Sequence, residues 1–421
     1  MESVRSMKER ILILLPTHSY KAEDFMRAAR ALELEVVIGT DRKQALDAAA
    51  PGGVLALDFA RPDRAVETIR TRTASSGFDA VIGVDDETTV LAAMTAEVLG
   101  LRGNPVEAVR TIGDKHAMRT ALADGGLRTP SFRRIAVDTD PVAAAIHVDY
   151  PCVLKPLFLS ASRGVIRADD PDEFVAAFRR IAAILNLPDV ARRAGDRAHL
   201  IVEGYVPGVE VAVEGLLADG TLRVLALFDK PDPLQGPVFE ETLYVTPSRL
   251  PLATRRAVEQ ETATGCRALG LREGPVHAEL RLNEGVPWLL EVALRSIGGL
   301  CSRTLRFGAG LSLEELILRH LLGRETPVPD RESAASGVMM IPIPRAGRLS
   351  GVSGLDAARA VPGIEEITIS RHAGAELVPL PEGHRYLGFI FARDDTPEAV
   401  ESALRESHGL LEFAISDPNG Q

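Results

Sequence analysis

The sequence predicts a multidomain chain of α/β and α+β architecture, and three observations support this prediction. Residues 10–103 alternate apolar strands with amphipathic helices, which indicates a small parallel sheet covered by helices. Residues 105–330 contain longer strands, a tight hairpin and separate helices. After a linker at 327–336, three strands and two helices predict an α+β unit at 331–421. The expected domains are therefore 1–104, 105–330 and 331–421.

The composition is that of an ordinary globular protein. Of its 421 residues, 46% are hydrophobic and 25% are charged, and the net charge of −11 includes no basic block that would indicate a nucleic-acid partner. The early apolar run at 11–15 is too short for a signal peptide or a membrane span, so no membrane partner is expected. Three widely spaced cysteines, Cys152, Cys266 and Cys301, predict a reduced, cytoplasmic protein.

The N-terminal layer follows a simple strand and helix order. Strands are predicted at 11–15, 34–38, 54–57 and 80–84, with helices beginning near residues 22 and 61 and a third at 87–99. The turn after the first strand lacks the Gly-x-Gly-x-x-Gly pattern of dinucleotide-binding folds. Asp85 and Asp86 follow the fourth strand, where they either face a ligand edge or cap the next helix.

Lysine is rare in this chain, with six lysines among 48 basic residues, so each remaining lysine is a candidate for a required point charge. Lys115 follows the predicted helix cap Asp114, where a cation and free backbone amides face an anion. A surface lysine in a capped helix is the alternative. Lys155 lies inside an apolar strand, where a buried ammonium needs a partner such as a phosphate.

Two further segments have the chemistry of nucleotide binding. Residues 160–164 form a small-residue hairpin tip whose amides and hydroxyls could close over phosphates, with Ser160 and Ser162 as donors. Glu203 and Glu210 lie on either side of a bend between two strands, where backbone groups could bind an adenine and a carboxylate a ribose.

A tight hairpin at 275–301 places two acidic residues opposite each other. If the turn is centred on Gly285, strand alternation puts Glu279 and Glu291 on one face as direct cross-strand neighbours, with Leu289 on the same face. Opposed carboxylates repel by roughly 0.2–1 kcal/mol. Because Glu291 lies in an apolar run, a divalent cation is favoured over a solvated face, and oxygen ligands suit Mg²⁺.

Arg295 and a glycine-containing turn with Gly298 and Gly299 follow this hairpin. An arginine beside a metal and a flexible backbone turn describe a place where a carboxylate meets a phosphate. Between these motifs, a Pro- and Gly-rich loop contains Lys230, whose role the sequence leaves open. Later helices are predicted at 252–269, 312–322, 354–360 and 396–408, and C-terminal strands at 337–344, 363–370 and 386–392.

In their order along the chain these motifs resemble the ATP-grasp superfamily, and within it the L-amino acid ligases. The residues that match are Asp114, Lys115, Arg119, Leu122, Lys155, residues 160–165, Glu203, Glu210, Glu279 and Glu291. The resemblance implies an ATP-grasp fold with an N-terminal Rossmann-like domain, a central domain whose smaller lobe spans about 115–205, and a C-terminal α+β domain. A homodimer is implied by the family alone.

The resemblance also implies a role for each matched residue. Toward ATP, the implied residues are Lys115, Lys155, Ser160 and Ser162 for the phosphates, Glu203 and Val206 for adenine and Glu210 for ribose. Glu279 and Glu291 are the implied ligands of the metal ion, which is Mg²⁺ with Mn²⁺ as an alternative. Toward the substrates, the implied residues are Glu241 and Tyr244 for the amino group and side chain of the first amino acid, Arg295 for the reacting carboxylate, and Gly298 and Gly299 for the substrate loop. Arg295 and Lys155 are the implied catalytic residues.

Two positions depart from the family pattern. Ala293 stands where most members have an asparagine, so a second metal ion would need other ligands, such as both oxygens of Glu291. The loop over the phosphates contains Ser160, Ala161 and Ser162 where many relatives have glycines, which predicts a stiffer closure.

The expected function is ATP-dependent ligation of a small-molecule carboxylate to an amine, forming a dipeptide through an acyl phosphate. Two alternatives stay open at this point. One is another ATP-grasp ligase or carboxylase that acts on a carboxylate other than an amino acid. The other is a non-catalytic nucleotide-binding subunit, against which the retained lysines and metal pair argue.

Overall fold

The computed structural model describes residues 8–41, 52–72, 77–194, 199–324 and 330–417. It confirms a multidomain mixed α/β fold. Within these residues, no helix combines the length and the apolar character that crossing a membrane requires.

The N-terminal layer has the predicted order of strands and helices. Its elements are β1 (Arg10–Leu14), α1 (Ala22–Ala31), β2 (Glu35–Thr40), β3 (Val54–Ala56), α2 (Pro62–Arg72), β4 (Ala80–Gly83) and α3 (Asp86–Leu99). The strands form a parallel sheet of order β3-β2-β1-β4. Ile11 and Ile13 of β1 pack with α1, whereas Leu12 and Leu14 pack with α2 and α3. Both faces are covered, which explains the continuous apolar run.

A smaller antiparallel lobe follows two short helices. The elements are α4 (Val106–Ile112), α5 (Lys115–Asp124), β5 (Phe132–Ala136), α6 (Pro141–Ala145), β6 (Cys152–Pro156), β7 (Ile166–Ala168), α7 (Pro171–Leu185), α8 (Pro188–Ala194) and β8 (His199–Gly204). The strand order is β5-β8-β6-β7. Phe174, Phe178 and Ile181 of α7 are fully buried with Leu154 and Leu200 of the sheet, so one face of the lobe is covered by α7 and the other faces the cavity described below.

The remaining elements build a large central sheet and its extension. In the middle of the chain they are β9 (Val209–Ala218), β10 (Thr221–Lys230), β11 (Leu243–Thr246), α9 (Leu252–Ala268), β12 (Gly274–Asn283), β13 (Val286–Ala293), β14 (Arg306–Phe307), β15 (Leu311–Ser312) and α10 (Leu313–Leu321). At the C-terminal end they are β16 (Ala335–Ile341), β17 (Gly347–Ser353), α11 (Leu355–Arg359), β18 (Ile364–Ile369), β19 (Glu376–Leu377), β20 (Gly388–Asp394), α12 (Pro397–Gly409) and β21 (Glu412–Ser416).

The central sheet has eight strands in the order β13-β12-β9-β10-β11-β16-β20-β18, and every neighbouring pair is antiparallel. Alternate residues of β9 lie on opposite faces of the sheet. Ala212 and Leu216 join the core that contains α1 and α10, while Val211 and Val213 join the core around α9. The acidic residues of β9 therefore lie on the face toward the N-terminal layer.

Three C-terminal strands belong to this central sheet, so the sheet continues across the predicted boundary at 330. The boundary itself stays a prediction, and residues 325–329 of the predicted linker lie outside the described residues. The predicted strands correspond to β16, β18 and β20. The prediction of three strands was incomplete, because β17, β19 and β21 form a second small sheet. Strand β17, with its glycines and serines at 347–353, lacks the apolar alternation that marks a strand.

Candidate active site

A cavity of about 260 Å³ lies where the N-terminal layer, the smaller lobe, the central sheet and the C-terminal segment meet. All fourteen predicted site residues line it, namely Lys115, Lys155, Ser160, Ser162, Glu203, Val206, Glu210, Glu241, Tyr244, Glu279, Glu291, Arg295, Gly298 and Gly299. The structure thus brings the predicted residues together, while their individual roles remain predictions.

The hairpin of β12 and β13 pairs Glu279 directly with Glu291, as predicted. The reason given for this pairing was wrong. The turn consists of Glu284 and Gly285, both with positive φ (51° and 78°), and this two-residue turn alone would offset the two glutamates by one position. An irregularity next to Glu279 leaves Leu290 as an extra residue and restores the pairing.

The same irregularity corrects a second detail of the hairpin. Leu289 pairs with Leu280 and is buried in the core around α9, so it does not share the face of Glu291. Leu290 instead lines the cavity. Without the extra residue, Glu291 and its neighbours on β13 would point to the opposite face of the sheet.

Lys115 approaches the acidic pair from helix α5. Asp114 caps this helix by accepting hydrogen bonds from the backbone N–H groups of His116 and Ala117, as the sequence predicted for the cap. The Lys115 ammonium donates to the Leu159 carbonyl (2.9 Å) and to Glu291 (3.3 Å). The loop that contains residue 159 and the acidic hairpin are thereby joined through one cation.

A second charged group links the smaller lobe to the hairpin. The Glu203 carboxylate accepts from Arg119 (2.8 Å), and its other oxygen lies 2.6 Å from the Lys155 ammonium. Arg119, which is 1% exposed, also donates to the carbonyl oxygens of Leu289 (2.7 Å) and Leu290 (2.9 Å). Burial opposes the charge of Glu203, but Arg119 and Lys155 outweigh it and lower its pKa to about 2. We name these three side chains the Glu203 cluster.

Lys230 is the centre of a third group, which we name the Lys230 cluster. Its ammonium lies 2.7 Å from Glu210, 2.6 Å from Glu241 and 3.1 Å from Glu279, and oxygens of these three carboxylates lie within 4.8 Å of one another. Burial opposes the charge of Lys230, but the three carboxylates outweigh it and raise its pKa. Burial, followed by the charge of Glu279, raises the pKa of Glu241 to about 7.

Arg295 connects the central sheet to the N-terminal layer. Its guanidinium donates to both carboxylate oxygens of Asp86 (3.0 and 3.2 Å). Burial opposes the charge of Asp86, but Arg295 and Lys21 outweigh it and lower the pKa of this carboxyl group. Asp85 is the N-cap of α3, and both Asp85 and Asp86 line the cavity.

Two buried charged side chains hold the backbone of the glycine turn after β13. The backbone N–H of Ile297 donates to both oxygens of the buried Glu214 carboxylate (2.9 and 3.1 Å), and the Lys21 ammonium donates to the Ser296 carbonyl (2.8 Å). Gly299 has a φ of 59°, and a Cβ there would lie 2.7 Å from the Phe389 ring. Glycine is therefore required at 299 by both backbone conformation and space.

The loop at 160–164 is attached to the C-terminal segment. Ala161 and Ser162 both have a positive φ (55° and 54°), a conformation that side chains other than glycine adopt at a cost. The backbone N–H of Gly164 donates to the Pro381 carbonyl (2.9 Å), and Arg163 donates to the Glu382 carbonyl (2.9 Å). The C-terminal segment thus holds the loop that covers this side of the cavity.

Several site residues were missed by the sequence interpretation. Four of the six lysines line the cavity or pair with residues that line it, namely Lys21, Lys115, Lys155 and Lys230, whereas Lys43 lies outside the described residues. The scarcity of lysine was the signal that could have identified Lys21 and Lys230. No sequence signal pointed to the C-terminal residues that line the cavity, which are Met340, His384, Arg385 and Tyr386.

Three family models match successive parts of the chain. The ATP-grasp N-terminal domain matches residues 26–103, the ATP-grasp domain matches residues 148–304, and the L-amino acid ligase C-terminal domain 2 matches residues 339–416. The chain thus contains an ATP-grasp domain preceded by an ATP-grasp N-terminal domain. The C-terminal match relates its last part to the L-amino acid ligases.

Individual relatives agree with this assignment. Alanine-anticapsin ligase of Bacillus subtilis (strain 168) is 28% identical over 288 residues, which are 65% of this chain and 60% of that protein. D-alanine-D-alanine ligase of Cupriavidus taiwanensis is 27% identical over 264 residues, 59% of this chain and 76% of that protein. The L-amino acid ligase structure from Bacillus licheniformis has a TM-score of 0.81 at 25% identity, covering 97% of this chain and 99% of that one. The chain thus spans 60% of the length of the alanine-anticapsin ligase.

Proposed function

We propose that the protein is an ATP-dependent ligase that joins the carboxylate of one amino acid to the amine of another. The observation that carries this proposal is that two cross-strand carboxylates, three lysines and Arg295 converge around one cavity. A site of this kind supplies positioning and charge neutralisation, which are the main demands of phosphoryl transfer. The relatives named above, which are ligases, support the same reaction class.

The reaction proceeds in two steps. A carboxylate oxygen of the first amino acid attacks the γ-phosphorus of ATP, the bond to the bridging oxygen breaks, and ADP leaves. The nitrogen of the second amino acid then attacks the acyl carbon, phosphate leaves, and the nitrogen loses a proton as the amide forms. Lys115 and Lys155 hold the phosphates, and Arg295 neutralises the charge that develops where carboxylate and phosphate meet.

The acidic pair fits a magnesium ion. Glu279 and Glu291 offer only oxygen ligands, and each is now neutralised by a protein cation, Lys230 and Lys115 respectively. If a divalent cation took these two glutamates, Lys230 would keep Glu210 and Glu241 as partners, and Lys115 would keep the Leu159 carbonyl. When bound, Mg²⁺ would neutralise phosphate oxygens, and Mn²⁺ has the same ligand preference.

The nucleoside is assigned to the bend between β8 and β9. The family resemblance assigns backbone groups of Glu203 and Val206 to adenine, while the Glu203 side chain binds Arg119 and Lys155. Glu210 accepts from Lys230 through one oxygen and from Arg281 through the other (3.0 Å). Each carboxylate oxygen has a further lone pair, which ribose hydroxyls can use.

The first amino acid is assigned to the side of the cavity formed by the Lys230 cluster and the glycine turn. Glu241 offers a carboxylate for its ammonium group, and Tyr244, which is fully buried, bounds its side chain. Because Gly298 and Gly299 have no side chains, the first amino acid can lie close to the backbone next to Arg295.

The surroundings that we infer follow from the same features. The three described cysteines are free and buried, and burial raises the pKa of the Cys152 and Cys266 thiols to about 12, which agrees with a reduced cytoplasmic location. The partners are small molecules, and a homodimer is inferred from the family.

The test is phosphate release from ATP and Mg²⁺ across single amino acids and all pairs, with mass spectrometry of the products. We expect release that depends on one pair and a product with the summed mass of that pair less one water. ATP binding without release across the panel would reject the two-amino-acid reaction and favour another acid or amine. Absence of ATP binding would reject the proposed function as a whole.

A further inference from the structure

The cations that line the cavity differ in one respect. Four of the five lysine and arginine side chains have a carboxylate partner, namely Lys115 with Glu291, Lys155 with Glu203, Arg281 with Glu210 and Arg295 with Asp86. The fifth, Arg385, makes no hydrogen bond or ion pair with any residue that the structure describes. In a chain with a net charge of −11, a cavity arginine without an ion-pair partner among the described residues is an exception that needs a reason.

The side chains near Arg385 include further basic groups. Burial lowers the pKa of Arg371, and the nearby Arg385 guanidinium lowers it further. Burial, followed by Arg163 and Arg385, lowers the pKa of His384 to about 4. The Nε–H group of Arg371 is buried without a hydrogen-bond partner among the described residues. Arginines that repel each other beside a cavity are stabilised when an anion enters it.

We propose that Arg385 binds the carboxylate of the amine substrate, so that this substrate is an amino acid or peptide with a free carboxylate. The inference rests on the proposed function. In such a ligation the first carboxylate is consumed in the acyl phosphate, and the amine substrate brings the second one. The planar guanidinium of arginine matches a carboxylate through two parallel hydrogen bonds, which a lysine cannot reproduce.

Arg385 and the lysines assigned to the phosphates come from different elements of the fold. Lys115 and Lys155, which face the phosphates in the proposed function, come from α5 and β6 of the central part of the chain. Arg385 comes from the C-terminal segment just before β20. The adjacent Tyr386 packs against Phe389 (6.0 Å between ring centroids), as does Tyr20 of the N-terminal layer (5.5 Å). An aromatic wall of this kind suits the body of an amino acid beside its carboxylate.

The same wall is close to the residues assigned to the first amino acid. Tyr386 and Glu241 line the same cavity, and burial, followed by the charge of Glu241, raises the pKa of the Tyr386 hydroxyl. Gly299 also approaches Phe389. The two amino acids would therefore occupy neighbouring parts of one cavity, as attack of an amine on an acyl carbon requires.

The test compares the amine amino acid found in the pair screen with its carboxamide, which lacks the negative charge. In Arg385→Met, we expect the KM for the amino acid to rise roughly 10- to 100-fold, the range for losing a hydrogen-bonded charge, while the KM for the carboxamide stays within about 2-fold. Arg385→Lys should recover part of the loss. Arg359→Met, which removes an exposed arginine on α11, is the matched control.

Hydroxylamine separates failure of this inference from failure of the proposed function. It traps an acyl phosphate as a hydroxamate and has no carboxylate, so Arg385→Met should form hydroxamate at the wild-type rate, which also shows that the variant is folded. Equal losses for amino acid and carboxamide, or a raised KM for ATP instead, would overturn the role of Arg385. Absence of hydroxamate with the wild-type protein would overturn the proposed function and this inference with it.

Discussion

Two clusters of buried charges face the same cavity, and their compositions are opposite. In the Glu203 cluster, one carboxylate is held by two cations, Arg119 and Lys155. In the Lys230 cluster, one cation is held by three carboxylates. The first has an excess of positive charge and the second an excess of negative charge, although both are built from the same residue types.

The comparison shows that a buried glutamate can be shifted in either direction by its neighbours. Burial raises the pKa of any carboxyl group, and the two cations beside Glu203 reverse this effect, whereas the carboxylate beside Glu241 adds to it. The Glu203 cluster therefore joins parts of the fold and retains positive charge, which an anion such as a phosphate can neutralise. The Lys230 cluster retains negative charge, which a bound cation or an ammonium group can neutralise.

The largest effect is expected from breaking the Glu203 cluster. Arg119→Met should lower the free energy of unfolding by about 3–5 kcal/mol, because it removes one partner of a buried ion pair and leaves two backbone carbonyl oxygens without a donor. Urea titration measures this change. Arg110→Met, at an exposed arginine with a partner at 3.6 Å, should stay within about 0.5 kcal/mol. Similar losses for both variants would mean that the cluster does not stabilise the fold.

Arg295 tests whether a buried cation acts on the reaction instead of the fold. Arg295→Ala should lower kcat about 10²- to 10³-fold, or roughly 2.7–4 kcal/mol, by analogy with the loss of one preorganised charge-stabilising donor. Steady-state kinetics at saturating substrates measure it. Turnover near the wild-type value would reject the assigned role, and a parallel urea titration shows whether a loss comes from unfolding.

The pH dependence of stability sharpens the contrast. The pKa of Glu203 is about 2 in the folded protein and near the ordinary 4.5 when unfolded, so its stabilising charge is present above 4.5 and is lost as the pH falls toward 2. The stability advantage of the wild type over Glu203→Gln should therefore shrink by about 2 kcal/mol from about pH 6 to about pH 3. An advantage that stays constant over this range contradicts the assigned charge state.

The smallest effect is expected in the Lys230 cluster. Lys230→Met removes the cation that three carboxylates share and leaves Arg281 beside Glu210. Mg²⁺ can replace the lysine because the three carboxylates offer oxygen ligands. Millimolar Mg²⁺ should stabilise this variant by about 1 kcal/mol more than the wild type, as expected for an ion at several times its dissociation constant. Thermal unfolding with and without Mg²⁺ measures the difference, and Arg119→Met should show no such gain.

Much of this site could be predicted because its chemistry is local in the sequence. Short sequence patterns were enough to identify these candidates. They were a lysine inside an apolar strand (Lys155), an acidic residue before a helix (Asp114) and two acidic residues around a tight turn (279 and 291). The predicted centre of the hairpin turn was wrong by half a residue. The extra residue Leu290 could not be recognised, because its residue type does not distinguish it from its neighbours in the strand.

What could not be predicted depends on contacts between distant parts of the chain. Lys230 follows an apolar strand and precedes a Pro- and Gly-rich loop, and only the pairing of β10 with β9 brings it to Glu210. The sequence indicated no partner for the side chain of Glu203, and the fold brings Arg119 to it from 84 positions away. Arg385 lies in a segment with no recognisable motif and reaches the cavity because β20 joins the central sheet.

The pairing of β16 between β11 and β20 has a practical consequence for building chimaeras. The C-terminal segment begins after a predicted linker, which is a natural place to exchange segments between relatives. Here its first strand forms hydrogen bonds along residues 243–246, and Arg163, Gly164 and Arg180 of the smaller lobe bond to Pro381 and Glu382. A graft that ends at the linker would have to bring matching partners for β11 and the 160–164 loop, or exchange the complete central sheet.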